Sequence, residues 1–364
     1  MHRVLNHALR ALAVAALLAT TVGAAPVLAD SNAAGAVYTL TNSASGNRVL
    51  IFDRAPDGTL TATGSVATGG NGGALGSQGS IALTGNGRWL IAANAGSNTI
   101  SAFSVDDGGL TLTDQVASGG SGPNSITTHD SLVYVLNAGG TPNVSGFRLG
   151  DGHLAAIAGS TRNLGAAGAG PVEVAFDQSG RVLVVSDKAA NKIETFVVGE
   201  GGVAGTPTVF DSSGPAPFGF DFGKHGAVIF SEAASIPAGS SSASSYTLAR
   251  DGTLTAVSRS VSTTQGAACW LVVTKNGRFA YTANAASGTI SLFEIDKETA
   301  ALTLRNATAA SGLAHPTDMA MSDNGKILYV LAAGSIVGYR IDEQGGLTWI
   351  STMTMTGTAG LAAR

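Results

Sequence analysis

Four acids stand where a carboxylate is hard to explain as surface decoration: Glu173, Asp187, Glu232 and Asp318 each open or close a short apolar run. Glu173 is the sharpest case, set inside Pro171-Val-Glu-Val-Ala-Phe176, where an acid is costly unless something pairs with it. Crowded carboxyls raise one another's pKa, which suits one of them to general-base work on a water; such a cluster also suits a hard cation. The competing structural reading has each acid accepting hydrogen bonds from loop amides or pairing with Lys188 or another base.

Around these acids sits a set of neutral polar groups. Asn94, Asn137 and Asn284 end apolar runs, where they could line a polar ring or close Asx turns. Gln78 and Asn124 precede such runs, and Trp270 offers either a stacking face or ordinary core. The lone Cys269, beside Trp270, reads as a small buried hydrophobe. His315, before Pro316, is the histidine to test as an acid or base, whereas His153 and His225 fall in connections. No CxxC pair, HExxH helix, GxSxG elbow or P-loop is present, so zinc, serine-hydrolase and nucleotide readings lack their residues.

These residues can meet only if the chain brings distant segments together, and a repeat shows how. Residues 80–110 and 270–304 follow one plan: an apolar run, an Asn-Gly turn, a second run ending in Asn, and a third with an aromatic. That aromatic (Phe52, Phe103, Phe147, Phe196, Tyr246, Phe293, Tyr339) returns every 44 to 51 residues. A small antiparallel sheet at that period predicts an all-β, seven-bladed β-propeller of four-stranded blades. The recurring Asn-Gly and Asp-Gly pairs are read as type I′ hairpins, whose two central residues need positive φ. The first copy lacks its opening run, and residues 357–363 resemble it. Pairing that last strand with the first blade closes the ring and removes exposed edges. In a propeller the residues opening each inner strand and those ending each second strand are expected around one mouth of the channel, the default place for a ligand.

Residues 1–29 read as a secretory signal, with His2, Arg3 and Arg10 before an apolar run and Val-Leu-Ala ahead of Asp30. The expectation is a secreted or periplasmic protein cleaved near Ala29, with residues 30–364 as one domain. The apolar run is too short to span a membrane. One cysteine permits no intrachain disulfide. A net charge of −4 without a basic run disfavours nucleic acid and anionic membranes as partners. A monomer meeting a small-molecule lactone or a carbohydrate-like ligand is the expectation, with no cofactor.

The segments Tyr134-Val-Leu-Asn137, Tyr281-Thr-Ala-Asn284 and Tyr329-Val-Leu-Ala332, with Asp-Gly and Asn-Gly turns in register, resemble the lactonase-family propellers. That group includes bacterial 6-phosphogluconolactonases, fungal carboxymuconate-lactonizing enzymes and the related YVTN-repeat proteins. The resemblance covers the mature chain. It implies hydrolysis or formation of a lactone, metal-free in the best-known members, with His, Arg and Glu at the channel mouth. Where the family commonly has Arg-His, this chain has Val172-Glu173; where it has Asn-Glu, this chain has Ser186-Asp187. Glu173, Asp187 and Glu232 remain as acids of suitable type. Export and the lack of an Arg or Lys clamp at the expected mouth point away from a phosphorylated substrate. The expected function is an exported lactonase-like propeller that hydrolyses or isomerises an unphosphorylated lactone or ester. Two alternatives stand beside it: a non-catalytic binder of a glycan, wall component or protein, and a lactonase using a divalent metal.

Overall fold

The computed structural model describes residues 34–106, 109–234, 239–355 and 359–364. The signal segment, the Asp107-Gly108 pair and residues 357 and 358 of the closing run therefore lie outside the described residues, as do residues 235–238.

Seven antiparallel sheets follow one another in chain order. The inner strands of blades 2 to 7 are Ile81–Leu83, Ser121–His129, Pro171–Phe176, Pro217–Phe222, Ala268–Val273 and Asp318–Met321. Blade 1 takes its inner strand from the far end of the chain, Ala359–Ala363, which pairs antiparallel with Gly35–Leu40. The expected closure is present, with Val37 opposite Ala363 and Thr39 opposite Leu361. Thr39 Oγ1 donates to Gly360 O at 2.6 Å, and the Arg54 guanidinium donates to both Arg364 O and Ala34 O, tying the two ends together. Among the described residues no helix is long and apolar enough to cross a membrane.

The core lies between blades, because each sheet has two faces to bury. Tyr134, Leu136 and Val144 of blade 3 pack on Val174, Phe176, Leu183 and Phe196 of blade 4. The tyrosines of the repeat motif explain themselves here. Tyr134, Tyr281 and Tyr329 are buried, and their hydroxyls donate to Gly202 O, Gly345 O and Gly58 O in the following blade at 2.7 to 2.8 Å. A buried phenol needs such a partner, so the motif encodes the junction between blades.

The turn chemistry differs from the expectation in one respect. At Asp151-Gly152 both residues have positive φ (49° and 84°), as a type I′ turn requires. At the Asn-Gly pairs 86–87, 276–277 and 324–325 only the glycine does. The asparagine there serves through its side chain instead. Asn86 Oδ1 accepts from Thr84 Oγ1 and Arg88 N, and Asn276 and Asn324 repeat the bracket. These are longer loops that end on a left-handed glycine, held by an Asx-type bond.

Candidate active site in the central channel

An inner strand has one edge paired with its blade and one edge facing the channel, so its free amides need acceptors. Side chains from neighbouring blades supply them. Ser125 Oγ and Thr127 Oγ1 accept from Val174 N and Phe176 N across the junction of blades 3 and 4. Glu173 Oε2 accepts from Phe220 N at 2.7 Å, Asp221 Oδ2 from Val273 N at 2.7 Å, and Asp318 Oδ2 from Leu361 N at 2.9 Å. Three carboxyls thus face one channel, each fixed to the next blade.

Their electrostatics follow from burial. Glu173 is 5% exposed and Asp318 1%. Desolvation pushes the Glu173 carboxyl well above the usual range against its one amide bond, and the charges of Asp221 and Asp318 push it further. Desolvation also raises Asp318 to about 8 and Asp221 to about 6, in each case against two backbone amides. At neutral pH Asp318 mostly holds its proton and Asp221 is mostly ionised, while burial shifts Glu173 toward its neutral form.

The two ends of the channel differ. At the upper mouth, where inner strands begin, the Ser77-Gln78 segment lies across the opening. Gln78 Nε2 donates to Leu271 O at 2.8 Å while its Oε1 accepts from Leu271 N at 3.0 Å, so the side-chain amide pairs with blade 6 as a strand would. Gln78 N donates to Val172 O, Ser77 Oγ to Asn124 O, and the Trp270 indole to Ser77 O. At the lower mouth a cavity of about 260 Å³ is bordered by Asp221, Lys224, Val273, Thr274, Lys275 and Met321. Asp221 is half-buried there, Lys224 and Lys275 are exposed, and Lys275 donates to Asp323 O.

The two sets expected around a single mouth separate. Glu173, Asp318, Gln78 and Asn124 face the channel, where Asn124 Nδ2 donates to Pro171 O and Oδ1 is buried without a partner among the described residues. Those ending the second strands turn outward, because successive side chains alternate faces and these tie down the crossovers between blades. Asn94 donates to Thr99 and Ser101, Asn137 to Ser118 O and Asn143, and Asn284 to Thr289 and Ser291. These bonds cross to the third strand or reach a crossover, in place of the Asx turns considered above. Asp187 Oδ1 accepts from Gly170 N and Ala190 N, and Glu232 accepts from Ser242 and Ser244. Asp187, Glu232 and the three asparagines are each fully buried.

Trp270 is buried edge-on to Phe218, with ring centroids 5.1 Å apart, and packs as core. Cys269 is buried too, and desolvation raises its thiol to about 11, which removes it as a thiolate at neutral pH. His315 is exposed, in a left-handed conformation (φ 47°), ahead of the blade 7 inner strand. Among the described residues no group of three or more His, Cys, Asp or Glu is placed to hold a metal ion. Asp221 is the site residue that sequence reasoning missed. Its signal was an acid inside Phe218-Gly-Phe-Asp-Phe222, the same kind of signal that singled out Glu173.

Among solved structures, the putative 6-phosphogluconolactonase from Bacteroides fragilis is 18% identical with a TM-score of 0.71, over 92% of this chain and 99% of that one. The periplasmic gluconolactonase of Pseudomonas aeruginosa is 16% identical with a TM-score of 0.67, over 90% and 99%. At such identities the likeness shows the fold. No curated protein sequence matches the chain significantly. The family model described as lactonase, 7-bladed beta-propeller matches residues 46–162 and 233–361. The stretch between them carries blade 4 and the first half of blade 5, and with them Glu173, Asp187, Asp221 and Glu232. Four-stranded blades, the ring closed by the last strand and this match over most of the sequence agree: the chain belongs to the seven-bladed β-propeller lactonase family.

Proposed function

We propose that this propeller is an exported hydrolase of an unphosphorylated lactone or ester, working at the lower mouth of its channel. The observation that carries this reading is Asp221, a carboxylate with a raised pKa of about 6 bordering an open cavity. Asp221 removes a proton from water as the water oxygen attacks the lactone carbonyl. The Lys224 ammonium, exposed on the same rim, stabilises the developing oxyanion. Collapse breaks the ring C–O bond, and the proton held by Asp221 passes to the leaving alkoxide, which yields the hydroxy acid. Behind Asp221, burial raises the Glu173 carboxyl pKa and so disfavours a second negative charge in the channel.

Substrate charge follows from the rim. With Lys275 engaged by Asp323, one ammonium is left, which suits a carbonyl or carboxylate better than the multidentate clamp a phosphate monoester needs. The Pseudomonas aeruginosa relative, a periplasmic gluconolactonase, supports both export and an unphosphorylated substrate. The purified protein is expected to open aldonolactones in preference to their 6-phosphates, and Asp221→Asn to lower kcat by about 100-fold or more. Unchanged turnover in Asp221→Asn, or activity abolished by a chelator, defeats this reading; the second outcome favours the metal-dependent alternative.

A non-catalytic binder is the second reading, favoured by a specific feature. Both oxygens of Asp221 and of Asp318 already accept backbone amides, as purely structural carboxyls would. Inactivity toward the whole lactone panel together with saturable glycan or wall-polymer binding would establish it.

A further inference from the structure

The repeat brings the same four residues to the lower face twice, with one difference. Asn276-Gly277-Arg278-Phe279 of blade 6 and Asn86-Gly87-Arg88-Trp89 of blade 2 occupy equivalent turns and enter equivalent second strands. In blade 6 the Arg278 guanidinium lies 4.8 Å from the Phe279 ring centre, and Phe279 is 3% exposed. In blade 2 no cation covers Trp89 among the described residues. The Trp89 ring is half-buried, resting on Gly152, where an added Cβ would come within 2.7 Å of it.

The open side of Trp89 borders a groove of about 720 Å³ between blades 2 and 3, within the range of roughly 300–1,000 Å³ that holds a small ligand. Its rim carries Asn86, Thr128, His129, Asp130 and Ser131. His129 is held in place by the Phe176 ring, 5.8 Å away centre to centre, and its Nε2 lies 3.7 Å from Asp130. The Trp89 indole N–H has no partner among the described residues, unlike those of Trp270 and Trp349, which donate to Ser77 O and Thr352. A flat aromatic face ringed by amide, hydroxyl, imidazole and carboxylate groups matches a pyranose ring, whose axial C–H bonds lie on the aromatic face while its equatorial hydroxyls reach outward. The described lining residues include one carboxylate, Asp130, and no lysine or arginine, and the nearby Arg148 guanidinium is engaged by the Ser131 hydroxyl and Gly201 O, so a neutral ligand fits better than a charged one.

We infer that the groove between blades 2 and 3 is a saccharide-binding site, separate from the channel, with Trp89 as its stacking platform. It does not rest on the lactonase reading and holds whether or not the channel is catalytic. Its role is to hold a neutral glycan on the same face as the lower mouth of the channel, beside blades 2 and 3.

Calorimetric titration of the full chain with cellohexaose and with N-acetylchitohexaose tests it. Saturable binding of at least one is expected, weakened about tenfold or more in Trp89→Ala. Trp89→Phe, which reproduces the ring already accommodated in blade 6, is expected to fold like the wild type and to bind several-fold more weakly. Trp349→Ala, at the most exposed tryptophan (61%), is expected to bind unchanged. Absence of saturable binding to both sugars at millimolar concentration overturns the inference. Undiminished binding in both Trp89 variants does so too, and moves the sugar to the channel.

Discussion

Asp318 condenses the chemistry of the channel into one residue. It is almost wholly buried, accepts from Met319 N and Leu361 N, and still has its pKa raised to about 8, because two amide bonds do not replace the hydration a carboxylate loses. A carboxyl whose folded pKa exceeds its unfolded value contributes stability that is complete below the unfolded value and lost as pH rises through the folded one. For Asp221 and Asp318 the window runs from the ordinary value of 3.8 to about 6 and about 8 respectively. The melting temperature is therefore expected to fall by several degrees between pH 5 and pH 9, measured by calorimetry at constant ionic strength. In Asp318→Asn, which cannot ionise, the part of that decline above pH 6 should flatten. A profile that rises with pH over this range contradicts the buried, protonated state.

At the scale of the element, inner strands behave as edges hidden inside the molecule, and their bonds across the channel replace a sheet neighbour. Gln78 is the clearest instance, since its amide pairs with both polar groups of Leu271, 193 residues away in sequence. Gln78→Ala leaves a buried N–H and a buried C=O without partners, for an expected loss of about 2–4 kcal/mol in urea unfolding. An unchanged midpoint would mean that water replaces Gln78 at no cost. The same logic accounts for the limits of the sequence reading. The pairing of alternating runs into blades is written in local pattern, so strand positions and the tyrosine motif were legible. Whether Asp187 faces the channel or a crossover depends on which face of its strand meets Gly170 and Ala190, and no run of neighbours records that. The turn chemistry was half legible: Asn-Gly marks a turn, but whether asparagine serves by φ or by its Oδ1 depends on loop length.

For the whole molecule, ring closure is the step that turns an open array into a particle without exposed inner edges. The last strand pairs with Gly35–Leu40, and Leu361 is buried in the cluster that joins blades 7 and 1. A chain ending before Ala359 exposes one edge of Gly35–Leu40 and opens that cluster. It is expected to lose a single cooperative thermal transition and to associate, seen as earlier elution with higher mass in size-exclusion chromatography with light scattering. A truncated chain that melts and elutes like the full one would show that the ring holds without its clasp.

By itself the sequence determined the number of blades, the period, the strand that closes the circle and the family resemblance, since each is a property of residues close together in the chain or of their repetition. Only the tertiary structure decided that Gln78 covers the upper mouth, that Asp221 joins Glu173 and Asp318 in the channel, and that Asp187, Glu232 and the strand-ending asparagines point away from it. The physical reason is distance along the chain. Blade patterning is enforced by neighbours, while a site in a propeller is assembled from side chains of different blades whose directions are set only when the circle closes.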